Sequence, residues 1–171
     1  MMDKTIKQII FILLLSTLLG MVRFYFLKDG DFTIIKIARI LETAEVQVSD
    51  SGEAIFTIPS FMTEPMTASL EFTKYFFDNK KAVLVDAREA EEFELGHIAG
   101  AINIPFDYYD EYMDTIDALK YDDIFIIYCS GGECSLSLDL ADVFFGEKAF
   151  ENVFVFEGGL PAWEDAGYPT E

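Results

Sequence analysis

Cysteine is nearly missing from this chain. Two cysteines in 171 residues, Cys129 and Cys134, cannot build a disulfide scaffold. Histidine is scarcer still: His97 stands alone, so two cysteines and one histidine fall short of the four donors a structural zinc asks for. Positive charge is also thin, with 12 Lys and Arg against 31 Asp and Glu and a net charge of -19. Nucleic acid would be repelled by such a surface, as would anionic lipid, whereas neutral or cationic partners are favoured. No internal repeat and no low-complexity tract is present. What the chain does have is apolar residues, 51 % of the total with 15 % aromatic, which excludes disorder for its bulk. The length suits one domain with a proper core plus an appendage.

The apolar excess is concentrated at the start. Ile9 to Val22 runs without a charge, and the run resumes past Arg23 to Leu27. Nineteen helical residues rise about 28 Å, close to the roughly 30 Å of a bilayer's hydrocarbon core, so the segment is expected to span. Arg23 lies near its end, where a long side chain reaches the headgroups. Lys4 and Lys7 would equally serve the basic start of a secretory signal, yet no A-x-A pattern follows. The expectation is an anchor over 1–27, or an uncleaved signal, touching the bilayer through 6–27. A single pass through the cell inner membrane would place the acidic domain in the periplasm.

Residues 28–65 read as a juxtamembrane connecting region. Ile34 to Ala44 has helical spacing of apolar positions, whereas Glu45 to Ile58 alternates around Ser-Asp-Ser-Gly as a hairpin does, with a packed linker as the alternative to both. From Met66 the pattern becomes regular. SLEFTKYFFDN, EAEEFELG, YYDEYMDTIDAL, SLSLDLADVFFG and GLPAWEDAG predict helices; AVLVD, AINIP, IFIIYC and NVFVFEGG predict strands. Strands apolar throughout and alternating with helices imply an α/β domain over 66–171, with a parallel sheet covered on both faces. Ligands of such sheets sit beyond the carboxyl ends of the strands. Here that means the turn after Asp86 and the loop after Tyr128.

The second loop carries both sulfurs. Cys129 ends a strand, and Ser130, Gly131, Gly132 and Glu133 lead to Cys134 and to a helix beginning near Ser135. Glycines let successive amides turn inward and a helix start adds positive potential, so the loop is expected to encircle an anion and favour a nucleophilic thiolate. An inward Glu133 carboxylate would oppose this. Two other chemistries compete: a dithiol cycling with its disulfide, or a cysteine retained only for burial. A cysteine-loop phosphatase needs arginine six positions after the nucleophile, and Ser135 stands there.

DAREAEEFELGHIAGAINIPF, IFIIYCSGGECS and NVFVFEGGLPAWEDAGYPTE together resemble the successive blocks of a single-domain rhodanese, in order and at that family's spacing. The resemblance covers roughly residues 66–170. It implies a rhodanese-like three-layer fold, with a central, mostly parallel five-stranded sheet, and a Cys129 that carries sulfane sulfur as a persulfide. A sulfur donor, either a protein or small-molecule persulfide or thiosulfate, would load the Cys129 thiolate. Amides of Ser130 to Cys134 would hold the charge and a thiol acceptor would unload it, with no cofactor and no metal. Asp86 and Arg88 would be supporting and substrate-proximal residues, or simply an ion pair. Ser135 would cap its helix with a hydroxyl near the loop. His97 reads as a buried hydrogen-bonding residue rather than a proton shuttle, and Phe156 and Trp163 read as core.

Cys134 departs from the family pattern, since many rhodaneses carry arginine there. Residues 81–171 hold 21 acidic and 4 basic side chains, a net of -17, a field that opposes the thiosulfate dianion. Persulfides are then the favoured donors. Cys134 is a candidate resolving cysteine, able to attack the Cys129 persulfide, release sulfide and leave a disulfide. A noncatalytic protein-binding module remains the other outcome of the same resemblance.

Overall fold

A computed structural model describes residues 4–26, 41–44, 46–48, 54–56, 58–132 and 134–171. Two compact units divide the chain, Met1–Ile40 and Leu41–Glu171.

The described residues of the first unit form the helix α1 (Lys4–Phe26). From Ile9 to Leu15 seven consecutive large apolar side chains are exposed, and Leu18 as well. A helix apolar on every side calls for an apolar surrounding. Among the described residues no helix is long and apolar enough to cross a membrane, so the expected transmembrane helix is not supported.

The second unit opens with β1 (Val46–Val48) and β2 (Ala54–Phe56), an antiparallel hairpin pairing Val46 with Phe56. That agrees with the alternation over 45–58. The helix expected over 34–44 lies outside the described residues up to Ile40, and Leu41–Ala44 is extended instead. Tertiary pairing decides this: the Ala44 amide donates to the Thr67 carbonyl at 3.0 Å and the Thr67 amide to Glu42 at 2.8 Å. Leu41, Ala44 and Met62 are buried in the core despite belonging to the expected connecting region.

The sheet is built from β3 (Met66–Thr67), β4 (Val83–Asp86), β5 (Ile102–Asn103), β6 (Ile124–Tyr128) and β7 (Asn152–Phe156). Its order is β3-β7-β6-β4-β5, and all four pairings are parallel. The four strands expected from apolar runs are all present; β3, only two residues long, gives no periodic signal.

Helices cover both faces. α2 (Leu70–Asp78) starts at Ser69, whose hydroxyl accepts from the Phe72 amide at 3.1 Å. α3 (Ala90–Leu95) follows β4. The acidic helix expected over 108–119 is broken: a 3₁₀ stretch, Phe106–Tyr112, kinks at Tyr108 before α4 (Met113–Asp117). α5 (Leu136–Asp142) widens at its end, where the Lys148 amide reaches the Val143 carbonyl five residues back at 3.0 Å. α6 (Gly159–Asp165) closes the domain. One core packs Val85, Phe125, Ile127, Val153 and Val155 against Leu140 and Phe144. The opposite core joins Leu84, Ile126 and Phe154 to Phe72, Phe76 and Trp163. Alternate residues of each strand thus feed alternate cores, which fixes β4, β6 and β7 and therefore the loops at their carboxyl ends.

Candidate active site

Three strand ends converge on one loop. β6 delivers Cys129, 1 % exposed, directly after Tyr128. β7 delivers Gly158 and Gly159, and β4 delivers Asp86 followed by Arg88.

The loop is held against the exit of β7 by backbone contact. The Leu160 amide donates to the Cys129 carbonyl at 3.0 Å. Gly159 adopts φ +61°, and a Cβ there would collide with the Cys129 carbonyl oxygen and stand 2.5 Å from the Gly131 nitrogen. Gly131, at φ +72°, would place a Cβ 2.5 Å from the Gly158 carbonyl oxygen. Both positions therefore need glycine for close approach as well as for conformation. The glycine pair of the closing block is the signal for this clamp.

Cys129 and Cys134 are joined as a disulfide, with their Cα atoms 6.7 Å apart. The second thiol is thus within reach of the first, the point that spacing alone left open. The Cys134 amide, expected to face the sulfur, is directed to another acceptor. The Cys134 amide donates to the Gly131 carbonyl at 3.2 Å, while the Cys134 carbonyl oxygen lies 3.6 Å from the Cys129 sulfur. Ser130 and Gly132 are exposed, Gly131 and Cys134 partly so, and Glu133 lies outside the described residues. Ser135 precedes α5 but makes no side-chain cap; its hydroxyl donates to the Asp139 carboxylate at 2.7 Å, because that partner on the next turn is charged. Ser137, which sequence reasoning missed, sits with its hydroxyl oxygen 3.3 Å from the Cys129 sulfur.

Asp86 and Arg88 form a buried ion pair. One guanidinium nitrogen approaches the carboxylate at 2.6 Å, the Arg88 amide donates to the same group at 3.0 Å, and the guanidinium also donates to the Gly96 carbonyl at 2.8 Å. Burial acts to lower the Arg88 pKa, but the Asp86 hydrogen bonds and charge outweigh it and raise it. The Tyr128 hydroxyl, pushed above the usual phenol range by burial and then by the Asp86 charge, accepts from the Ile98 amide at 3.0 Å. Asn103 donates to the Asp86 and Arg88 carbonyls at 3.1 and 2.9 Å. This network ties β4, β5 and the residue before Cys129 together. Arg88 is therefore engaged in structure, the ion-pair alternative. Among the described residues, no three His, Cys, Asp or Glu side chains converge as metal donors.

The rhodanese-like domain model matches residues 71–166. The chain belongs to the rhodanese-like domain family. This rhodanese-like domain is 35 % identical over 92 residues to the thiosulfate sulfurtransferase GlpE of Actinobacillus succinogenes, covering 54 % of this chain and 78 % of that protein. It is 36 % identical over 87 residues to a tRNA uridine(34) hydroxylase of Buchnera aphidicola, covering 48 % of this chain but only 27 % of that one. Among solved structures, the BH2092 protein of Bacillus halodurans superposes with a TM-score of 0.54 at 25 % identity, covering 61 % of this chain and 75 % of that one. The rhodanese-like α/β fold with its parallel five-stranded sheet agrees with the expectation. The same family domain thus occurs in a sulfurtransferase and within a larger hydroxylase.

Proposed function

We propose that this rhodanese-like domain is a sulfurtransferase that accepts sulfane sulfur on Cys129 and that Cys134 resolves the resulting persulfide. The observation that carries the reading is the bond between the two sulfurs: a second thiol in bonding reach of the loop cysteine is what a resolving step requires. A donor persulfide transfers its outer sulfur to the Cys129 thiolate and leaves as a thiolate. An acceptor thiol then removes that sulfur. In the absence of acceptor, the Cys134 thiolate attacks Cys129 Sγ, the bond to the outer sulfur breaks, hydrosulfide leaves and the disulfide forms. A dithiol reductant, itself oxidised to a disulfide, restores both thiols.

Persulfides of proteins or small thiols suit the site better than thiosulfate. Arg88 is committed to Asp86 and Gly96, and the strand-loop region carries a net charge of -17 over 81–171. The test is mass spectrometry after exposure to a small-molecule persulfide. Cys134→Ser is expected to hold roughly tenfold more persulfide on Cys129 than the unsubstituted chain, which instead releases sulfide and becomes disulfide-bonded. Equal loading of the two would remove the resolving role. Failure of Cys129 to accept labelled sulfur from any donor would leave the dithiol redox reading, which the same disulfide favours.

Attachment to a lipid bilayer through α1 belongs to the same proposal. The exposed apolar run from Ile9 to Leu18 supports it, as does the contrast with the second unit, where Phe61, Leu95, Tyr108 and Tyr121 are the exposed large hydrophobics among the described residues. Expression in a Gram-negative host should leave the chain in the membrane pellet after carbonate extraction. Protease added to spheroplasts should digest the acidic domain if it faces the periplasm, and full protection reverses the orientation.

A further inference from the structure

One polar side chain beside Cys129 takes no part in the chemistry above. Ser137 lies in the first turn of α5, is 2 % exposed, and holds its hydroxyl oxygen 3.3 Å from Cys129 Sγ. In the disulfide that sulfur has no proton, so the hydroxyl donates to it. Ser135, two residues earlier, has its hydroxyl on Asp139 instead. The neighbouring backbone offers the sulfur a Cys134 carbonyl oxygen at 3.6 Å, while the Cys134 amide is spent on Gly131. A negative charge on Cys129 would meet a carbonyl dipole from Cys134 and an O–H donor from Ser137.

We propose that Ser137 is a catalytic residue whose hydroxyl donates a hydrogen bond to the Cys129 sulfur anion, both as attacking thiolate and as leaving group. The inference rests on Cys129 being the reacting sulfur, as proposed above. It also gives the resetting step a direction. In the disulfide Cys129 is 1 % exposed whereas Cys134 is partly exposed, so a reducing dithiol attacks Cys134 Sγ. The electron pair of the disulfide bond moves to Cys129 Sγ, which leaves as a thiolate accepting the Ser137 hydrogen bond, and no proton is transferred. The second thiolate of the reductant then displaces Cys134 from the mixed disulfide and carries away the oxidised dithiol. Hydrogen bonds to an ionised acceptor are markedly stronger than those to a neutral one, so Ser137 acts most strongly on the charged forms of Cys129.

The test is iodoacetamide alkylation of Cys129 across pH in the full chain carrying Cys134→Ser, with and without Ser137→Ala. At pH 7 the alanine variant is expected to react about tenfold more slowly, with its profile displaced to higher pH and its alkaline plateau retained. A merely structural effect would change the rate by the same factor at every pH. Ser137→Thr, which keeps the hydroxyl, should follow the serine profile, and Ser137→Gly replaces the alanine variant should circular dichroism show that one unfolded. An unmoved profile on removing the hydroxyl, a uniform change of rate, or a threonine profile displaced as far as the alanine one overturns the proposal. Alkylation requires no sulfur transfer. A displaced profile in a chain that accepts no labelled sulfur would refute the persulfide reading and leave the Ser137 hydrogen bond standing.

Discussion

Asp86→Ala is expected to cost about 3–5 kcal/mol of folding stability, the range for breaking a buried ion pair by removing one partner. The magnitude follows from burial on both sides. Asp86 is fully buried and Arg88 is 6 % exposed, so the stranded guanidinium cannot turn to solvent without opening the end of β4. It would keep the Gly96 carbonyl and lose its counter-charge. Arg88's own amide would also lose its acceptor, because it donates to the Asp86 side chain. Urea unfolding followed by the fluorescence of Trp163, the single tryptophan and fully buried, reads the loss directly. Asp86→Leu combined with Arg88→Met should cost less than Asp86→Ala alone, since no unpaired charge then remains inside. A loss under about 1 kcal/mol for Asp86→Ala would mean that the pair is solvated in the folded chain.

Gly159→Ala is expected to be nearly as damaging and to act on the loop rather than on the sheet. A left-handed backbone costs an alanine about 1–2 kcal/mol, and forcing a methyl into packed atoms adds about 1–3 kcal/mol. The obstructing atoms are the Cys129 carbonyl oxygen and the Gly131 nitrogen and Cα, all backbone, so no rotamer change relieves the clash. Gly100→Ala separates the two contributions. Gly100 has a comparable φ of +76°, but a Cβ there meets nothing within 4 Å, so only the conformational cost applies. The expected outcome is a drop of about 2–5 kcal/mol for Gly159→Ala against about 1–2 kcal/mol for Gly100→Ala. Thiol titration should also show Cys129 and Cys134 no longer pairing efficiently in the first variant alone. Equal losses would show that the loop can retreat from β7.

Much of the domain was legible because its strands are apolar throughout. AVLVD, IFIIYC and NVFVFEGG place side chains in both cores, and a continuous apolar run is the signature of burial on two faces. The errors fall where tertiary contacts override local pattern. Leu41–Ala44 has helical spacing but pairs with Thr67, and residues 106–117 keep helical periodicity through a kink at Tyr108, φ -130°. At the site, the cysteines and glycines stand out by composition and by the resemblance of their blocks. The disulfide does not, since a five-residue separation says nothing of a 6.7 Å Cα distance. Ser137 was invisible for a plainer reason: in SLSLD either serine fits a helix start, and only packing shows which one turns toward sulfur.

The two borders of the sheet bear on how copies of this chain behave when crowded. β3 and β5 pair over two residues each, and Thr67 of β3 is bridged on its outer side by Thr43. A strand arriving from another molecule would find almost no free ladder to extend. Edge-to-edge fusion into fibres is thereby discouraged at both ends of the sheet, so the interior Val, Ile and Phe ladders of β4, β6 and β7 stay confined to their own molecule.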